Sequence, residues 1–584
     1  MNLFLDYQEK IFVSLKNLEK KKIIRIPSGI RNFTVELPPK NQRADISCNA
    51  AMILARVNNN SPIKLAEILK KHLLSNFIEF ESIEIAGPGF LNIYFHISFW
   101  KKYLTKIIQL NSKYGSNKML KKKYNIEFVS ANPTGPLHVG HCRGAVYGDV
   151  LANLLNKVGY KVTKEFYVND SGNQIDKLTK SVLFRYQECL KNKKTKNIPQ
   201  NIYPGEYLIP IGRELKKNYS SKLENGNKKN LELIKSFSID KIMKEIKNDL
   251  DLLGVHFDHF VSENSLLRVK KVNTAFEYLK KNNLIYQGIL KKPKGKEIDD
   301  WEPRKQDLFK STKFGDDIDR PIKKSNGDYT YFAKDIAYHF DKFQRGFKYM
   351  INVWGADHGG YIKRLTSAVN AITQNKVKLV IKICQLVKVI ENKKILKMSK
   401  REGNFISLNE VIKKVGKDVI RFIMLTRKNN EKLEFDLKKV TQESKENPVF
   451  YVQYAHARCC SVLREASKHL KSNEISIDKI KDESIDLIND NFELKLIKDI
   501  VKWPKIIEES VLYQEPHRIS FYLQSLSSKF HSLWNYGKKN AQLRFINLND
   551  KNLTIARLRM IYALKIILNN GLNLLGVKPL EVMK

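Results

Sequence analysis

The spacing of apolar residues changes character three times between residues 124 and 168. Residues 124–129 alternate enough to predict a strand, and Asn132, Pro133, Thr134, Gly135 and Pro136 form a turn cluster that neither a helix nor a central strand could absorb. From Cys142 onward Val146, Val150, Leu151, Leu154, Leu155 and Val158 fall on one helical face, and Gly159 sits where a helix would stop. Residues 161–168 read as another strand. A strand, loop, helix and strand in this order form a parallel crossover unit, whose helix N-terminus opens at the carboxyl edge of a sheet. Backbone N–H groups and the helix dipole favour anions there.

The same patterning divides the rest of the chain. Residues 1–114 mix helical stretches with an alternating run, 90–95, placed after the turn Gly87-Pro88-Gly89, which predicts an α+β N-terminal domain. Residues 115–382 carry the parallel crossover sheet with an insertion at about 180–294. Within that insertion 191–196 and 216–230 are rich in Lys, Asn and Ser and read as surface loops or poorly ordered connections. A third segment, 383–440, contains a strand at 386–390 followed by a polar hairpin-like stretch. From 441 to 584 apolar residues recur at helical spacing over 449–463, 492–507, 519–534 and 554–574, an all-α helical bundle. No internal repeat is evident. The fold class is multidomain α/β.

Charge narrows the partner. The chain has 584 residues, room for about three or four domains, and a formal net charge of +43. Lys and Arg that neutralise phosphates release counterions, so a polyanion would satisfy such a surplus. The 83 Lys against 21 Arg also have the look of a coding-composition bias, so the charge supports an RNA partner without proving one. Cys48, Cys142, Cys189, Cys384, Cys459 and Cys460 form no Cys-x-x-Cys pair, which argues against structural zinc and suits a reducing compartment. No apolar run is long enough to span a bilayer, and a cytoplasmic, soluble protein is expected.

Candidate chemistry gathers at three places. His138-Val139-Gly140-His141 puts two imidazoles at the predicted helix start, where they can donate to phosphate oxygens, and Gly140 lets a base or ribose lie against backbone. Far downstream, Lys397-Met398-Ser399-Lys400 forms a basic loop after the 386–390 strand, suited to engaging departing pyrophosphate in the transition state. Tyr331 and Asp335 are four apart on a predicted helix, with His339 four further on, so they share a face. Glu127, just before the turn cluster, could add a second carboxylate, and a planar guanidinium is the side chain that rewards such a pair. Tyr451, Tyr454 and Arg458 make a stripe that could stack on unpaired bases, although from spacing alone core packing is the commoner use of such a stripe.

These signatures resemble the HIGH-type and KMSK-type signatures of class I aminoacyl-tRNA synthetases. Residues 127–141, 314–341, 353–364, 397–408 and 447–458, in family order, are similar to arginyl-tRNA synthetases of bacterial type. The resemblance implies a Rossmann-like catalytic domain, a ligase that makes arginyl adenylate from L-arginine and ATP with Mg²⁺, and transfer of the arginyl group to the terminal adenosine of tRNA(Arg). It assigns ATP to His138, Gly140, His141 and Lys397–Lys400, with His138, His141, Lys397 and Lys400 catalytic. It assigns the guanidinium to Glu127, Tyr331 and Asp335, and the α-amino end to Asn132 and Asp357. Phe90 and Asn92 would meet a D-loop base, and Tyr451, Tyr454, Arg458, Phe530, Trp534 and Met583 would line the anticodon pocket. Lys584 follows Met583 where the family's chain is expected to end. A monomer, with no bound metal of its own, and adenylate formation that waits for tRNA are further implications. Another class I synthetase would keep both signatures but lacks a reason for the Glu127, Tyr331 and Asp335 trio. A small nucleotidyltransferase would not need the aromatic C-terminal helices, and intact signatures argue against a catalytically silent tRNA-binding paralogue.

Overall fold

The computed structural model describes residues 3–27, 33–39, 42–117, 119–193, 195, 198–290, 304–324, 326–396, 406–442, 444, 446–470 and 486–583. At its centre lies a five-stranded parallel sheet in the order Lys378–Cys384, Tyr349–Gly355, Lys123–Glu127, Lys161–Val168, His259–Ser262. The crossover unit forms as its spacing predicts, with two boundary shifts that have physical causes. The first strand ends at Glu127 because Val129 and Ser130 take positive φ, +66° and +39°, and turn the chain out of the sheet. A β-branched residue in that region is strained, and here it lies beside the candidate site. The helix starts at Val139, three residues earlier than the apolar face suggests, because His138 caps it. It packs so close to the sheet that a Cβ on Gly148 would lie 2.3 Å from the Phe128 ring.

Polar groups sit beneath the sheet. Glu165 is fully buried and accepts from Arg345 through two bonds of 2.7 and 2.9 Å, from Tyr338 Oη at 2.7 Å and from Asn125 Nδ2 at 3.2 Å. Burial opposes its ionisation, but the paired Arg345 and nearby Lys342 win and hold its pKa at about 2. This network fixes helix Tyr331–Gln344 against the strands that it crosses.

The insertion differs from its predicted outline. Its strand His259–Ser262 pairs with Glu165–Val168 and completes the central sheet. The stretch 216–230, expected as loop, contributes the end of helix Ile209–Tyr219 and the start of Lys228–Leu253, because the buried faces of those helices, Ile211 and Leu215 in one and Ile234, Ile242 and Ile246 in the other, lie on either side of it. Downstream, Val387–Glu391 pairs in parallel with Leu433–Asp436 and antiparallel with Lys394–Ile395.

The N-terminal region is α+β: helices Leu3–Lys20, Pro62–Asn76 and Ile97–Leu110 accompany a four-stranded antiparallel sheet. The described residues of the C-terminal region include helices Pro448–His469, Asn491–Val501, Trp503–Leu512, His517–Lys539 and Lys551–Leu575. The helix predicted over 492–507 is broken at Lys502, since Pro504 lacks an N–H and belongs in the first turn of a new helix. N- and C-terminal regions touch directly, with Tyr114 Oη donating to the Val501 carbonyl at 3.1 Å and Lys498 pairing with Asp45 at 2.6 Å. No helix among the described residues is long and apolar enough to cross a membrane.

Candidate active site

The imidazole pair is organised by backbone. The Gly140 N–H donates to His138 Nδ1 at 3.1 Å, and the His138 N–H donates to His141 Nδ1 at 3.2 Å. Both Nδ1 atoms therefore act as acceptors, which puts each ring proton on Nε2, a donor at the helix start. The rings lie 4.0 Å apart. Gly140 has a local reason that its sequence context did not give: a Cβ there would come within 2.8 Å of the His138 ring itself. The preceding turn is pinned by Tyr207 Oη, which donates to the Thr134 carbonyl at 2.6 Å, and by Asp249, which accepts from the Leu137 N–H at 3.2 Å. Leu408 donates its N–H to the Leu137 carbonyl at 2.8 Å, and Ser407 bridges His138. Lys397, Met398, Ser399 and Lys400 lie outside the described residues.

Beside this helix start, three carboxylates converge at the carboxyl edge of the sheet. Glu127 is buried and accepts from Lys342 Nζ at 2.7 Å; Glu263 is buried and accepts from Lys334 Nζ at 2.6 Å and Tyr167 Oη at 3.0 Å. Asp335 has no ion-pair partner among the described residues, and Tyr361 Oη donates to its Oδ2 at 2.6 Å. Burial pushes the Asp335 carboxyl up to about 7, the Tyr361 hydrogen bond opposes this, and the Glu127 and Glu263 charges reinforce it. Tyr331 stands at the pocket rim, half exposed, with Lys334 over its ring. His339 shares the helix but is buried and neutral: its Nδ1 bonds the Asp335 carbonyl at 2.8 Å, its Nε2 meets Asn352, and burial lowers its pKa to about 3.

The structure thus brings Glu127 and Asp335 together. Asn132 lies on the adjoining loop and donates to Gln174 Oε1 at 2.8 Å. Asp357 follows strand Tyr349–Gly355 at the same edge but is exposed, 3.5 Å from His358 Nε2.

The C-terminal stripe is held together by its own side chains. Arg458 donates to Tyr454 Oη at 2.9 Å, meets His531 Nδ1 at 3.0 Å and stacks over the Trp534 ring at 4.8 Å. Tyr451, Tyr454, Arg458 and Trp534 are all half-buried. Two residues of the expected RNA contacts are corrected by burial. Phe530 is fully buried against Trp534 and Phe545, so it supports the stripe from inside. Asn92 is 3% exposed and its amide donates to Gln42 at 2.7 Å, which leaves Phe90, 37% exposed, as the accessible member of that pair. Met583 lines a cleft with Phe450 and Gln453.

Comparison with known proteins decides the family. The class I (R) tRNA synthetase catalytic domain matches residues 103–461, the arginyl tRNA synthetase N-terminal domain 8–95, and the DALR anticodon binding domain 452–583. The chain belongs to the arginyl-tRNA synthetase family. It is similar to the arginine–tRNA ligase of Wolbachia pipientis wMel, 46% identical over 100% of both chains, and to that of Bartonella bacilliformis, 47% identical over 100% of both. The structure of Thermus thermophilus arginyl-tRNA synthetase shares the fold, with a TM-score of 0.73 over 100% of both chains at 19% identity.

Within this arginyl-tRNA synthetase fold, several pocket residues escaped the reading of the sequence. Lys342 continues the face of Tyr331, Asp335 and Tyr338 at spacings of four, three and four, a signal that was present. Tyr361 ends a short 3₁₀ segment, Ala356–Tyr361, where no periodicity marks a face. Glu263 opens a short helix, Glu263–Arg268, inside the insertion, and only the pairing of strand His259–Ser262 carries it to the pocket.

Proposed function

We propose that this chain is an arginine–tRNA ligase whose pocket between Glu127, Asp335 and Glu263 holds the guanidinium of L-arginine. The observation that carries this reading is charge balance. Three carboxylates meet two ammonium groups, Lys342 and Lys334, and Asp335 is the one left without a cation among the described residues. A single guanidinium completes the balance and supplies planar donors for it. Tyr361 orients Asp335, Tyr331 covers the entrance, and Asn132 with Asp357 is assigned to the α-amino end.

The arginine carboxylate then attacks the α-phosphate of ATP, which arrives with Mg²⁺, and pyrophosphate leaves. No side chain forms a covalent bond. His138 and His141 present Nε2–H donors where phosphate charge develops, and Lys397 and Lys400 are assigned to the departing pyrophosphate, with Gly140, Met398 and Ser399 completing the ATP site. A ribose hydroxyl of the terminal adenosine of tRNA(Arg) takes the arginyl group in the second step. Tyr451, Tyr454, Arg458, Trp534 and Met583 are assigned to unpaired anticodon-loop bases, and Phe90 to a D-loop base. We further infer a monomeric cytoplasmic enzyme. Amino-acid-dependent ATP–pyrophosphate exchange, with and without total tRNA, tests the reading. Exchange supported by arginine and not by lysine or citrulline is expected, and absence of arginine-dependent exchange in the presence of tRNA overturns it.

A further inference from the structure

The helix that His138 caps carries a cation that the phosphate chemistry leaves idle. Arg143 lies two residues beyond His141 and is 1% exposed. Among the described residues its guanidinium meets no carboxylate at hydrogen-bond distance. It donates to the Gln385 carbonyl at 3.2 Å, to the Lys428 carbonyl at 2.6 Å and to the Glu431 carbonyl.

Those three carbonyls have a common location. Gln385 stands two residues before strand Val387–Glu391, and Lys428 and Glu431 lie in the connection entering strand Leu433–Asp436, whose first residue pairs with Val387. One side chain therefore grips the root of both parallel strands. The first of them continues into the hairpin with Lys394–Ile395, the last described strand before the Lys-Met-Ser-Lys sequence. On the far side of that sequence, Leu408 and Ser407 return to Leu137 and His138. The described elements on both sides of that sequence are thus fastened to the imidazole turn or its helix, and Arg143 is the side-chain fastening on the sheet side.

Stability alone is a weak reason for this arrangement. Burying a guanidinium is costly, and an apolar contact would fill the volume more cheaply. What a forked cation offers is geometry: charge-assisted bonds at fixed angles to two backbone segments at once, which an ammonium cannot reproduce.

We propose that Arg143 is a positioning residue for adenylate formation, holding the helix that begins at the His138 and His141 turn against the root of the Val387–Glu391 sheet so that the two imidazoles keep one place against the triphosphate. Arg143 touches neither substrate. The inference rests on the reading of this site as one that activates arginine with ATP.

The test compares Arg143→Gln and Arg143→Lys with the wild-type chain in arginine-dependent ATP–pyrophosphate exchange with tRNA present, alongside arginine Kd by calorimetry and circular dichroism. A displacement on the order of an ångström far from the reacting atoms can cost roughly 100-fold. We expect kcat to fall about 10- to 100-fold, arginine Kd to stay within about twofold, and Lys to restore little. In a His141→Ala background the same substitution should cost less than about threefold, because Arg143 acts through the turn that carries His141. Unchanged kcat in both variants overturns the proposal. So does an equal fold-loss in the wild-type and His141→Ala backgrounds, or a kcat loss matched by lost arginine affinity, the pattern of general destabilisation. Should Arg143→Gln fail to fold, Arg143→Lys carries the same comparison with the charge kept. A wild-type chain inactive with arginine would overturn the site reading itself, a result distinct from failure of the Arg143 variants.

Discussion

The arginine pocket and the C-terminal stripe both present charge beside aromatic rings, yet they are finished to different degrees. Arg458 already has Tyr454, His531 and Trp534 around it, so its charge is spent on internal contacts and its plane is locked. Asp335 has a phenol and two carboxylate neighbours but no cation of its own among the described residues. The first surface is preorganised to offer flat faces, and any base has a flat face. The second is electrostatically incomplete until a cation enters, and selectivity by charge follows from that. Loss of a group should therefore be felt in ligand identity at the pocket and in affinity alone at the stripe.

The sharpest break of this contrast is Asp335→Asn. It keeps shape and removes the charge that a guanidinium needs, so arginine affinity should fall by about 3 to 5 kcal/mol, the usual cost of stranding a buried charge. Citrulline, neutral and nearly isosteric, should lose far less. Inhibition constants for both ligands, with Glu127→Gln in parallel, decide it. Equal losses would mean that these carboxylates do not read the guanidinium.

At the phosphate end, His138→Ala, His141→Ala and Lys400→Ala should each reduce kcat for adenylate formation, by about 2 to 4 kcal/mol of transition-state stabilisation. Arginine Kd should move little, since the imidazoles lie on the capped helix start and not among the three carboxylates. Near-normal exchange rates in all three variants would detach the signatures from the chemistry.

The stripe should respond more gently. Tyr454→Ala and Arg458→Ala are expected to raise KM for tRNA by about 1 to 3 kcal/mol per lost stacking contact, with arginine-dependent kcat largely kept. Phe530→Ala serves as the contrast: being fully buried, it should lower thermal stability with KM changing only as the fold loosens. A tRNA KM effect in Phe530→Ala without a stability loss would return that residue to the interface.

How much of this was legible beforehand varies with the kind of signal. The crossover unit was, because turn residues and a helical apolar face are local, and so was the shared face of Tyr331 and Asp335. The break at Pro504 was equally local and was outweighed by apolar spacing that continues across it. Glu263 was not legible, since its place depends on a four-residue strand joining the sheet from within a polar, lysine-rich insertion. Nor was the burial of Phe530 and Asn92, which share their patterns with exposed neighbours and are separated from them only by tertiary packing.

The smallest expected effect concerns protons, and it separates the two regions by pH. Asp335 has its carboxyl pushed up to about 7 in the folded chain by burial, with Glu127 and Glu263 adding repulsion that Tyr361 only partly offsets. Lys334 and Lys342 are the cations nearby, each committed to another carboxylate. An acid with a raised folded-state pKa binds its proton more tightly folded than unfolded, near 3.9 for an ordinary Asp, so its stabilising contribution is present at low pH and is lost as pH rises from about 4 through about 7. The ligand-free chain should accordingly lose some thermal stability over that window, and Asp335→Asn should flatten the slope. Arginine reverses the preference, because a guanidinium favours the ionised form: its affinity should rise with pH by at most about tenfold per unit below 7 and level off above, with proton release visible as a buffer-dependent enthalpy in calorimetry. The stripe at Tyr454 and Trp534 does not include Asp335, so the pH dependence of tRNA KM should be the same in Asp335→Asn as in the wild-type chain. An arginine affinity independent of pH between 5.5 and 7.5 would mean that Asp335 is already ionised in the empty pocket, and the contrast between a charge-incomplete site and a finished one would lose its electrostatic basis.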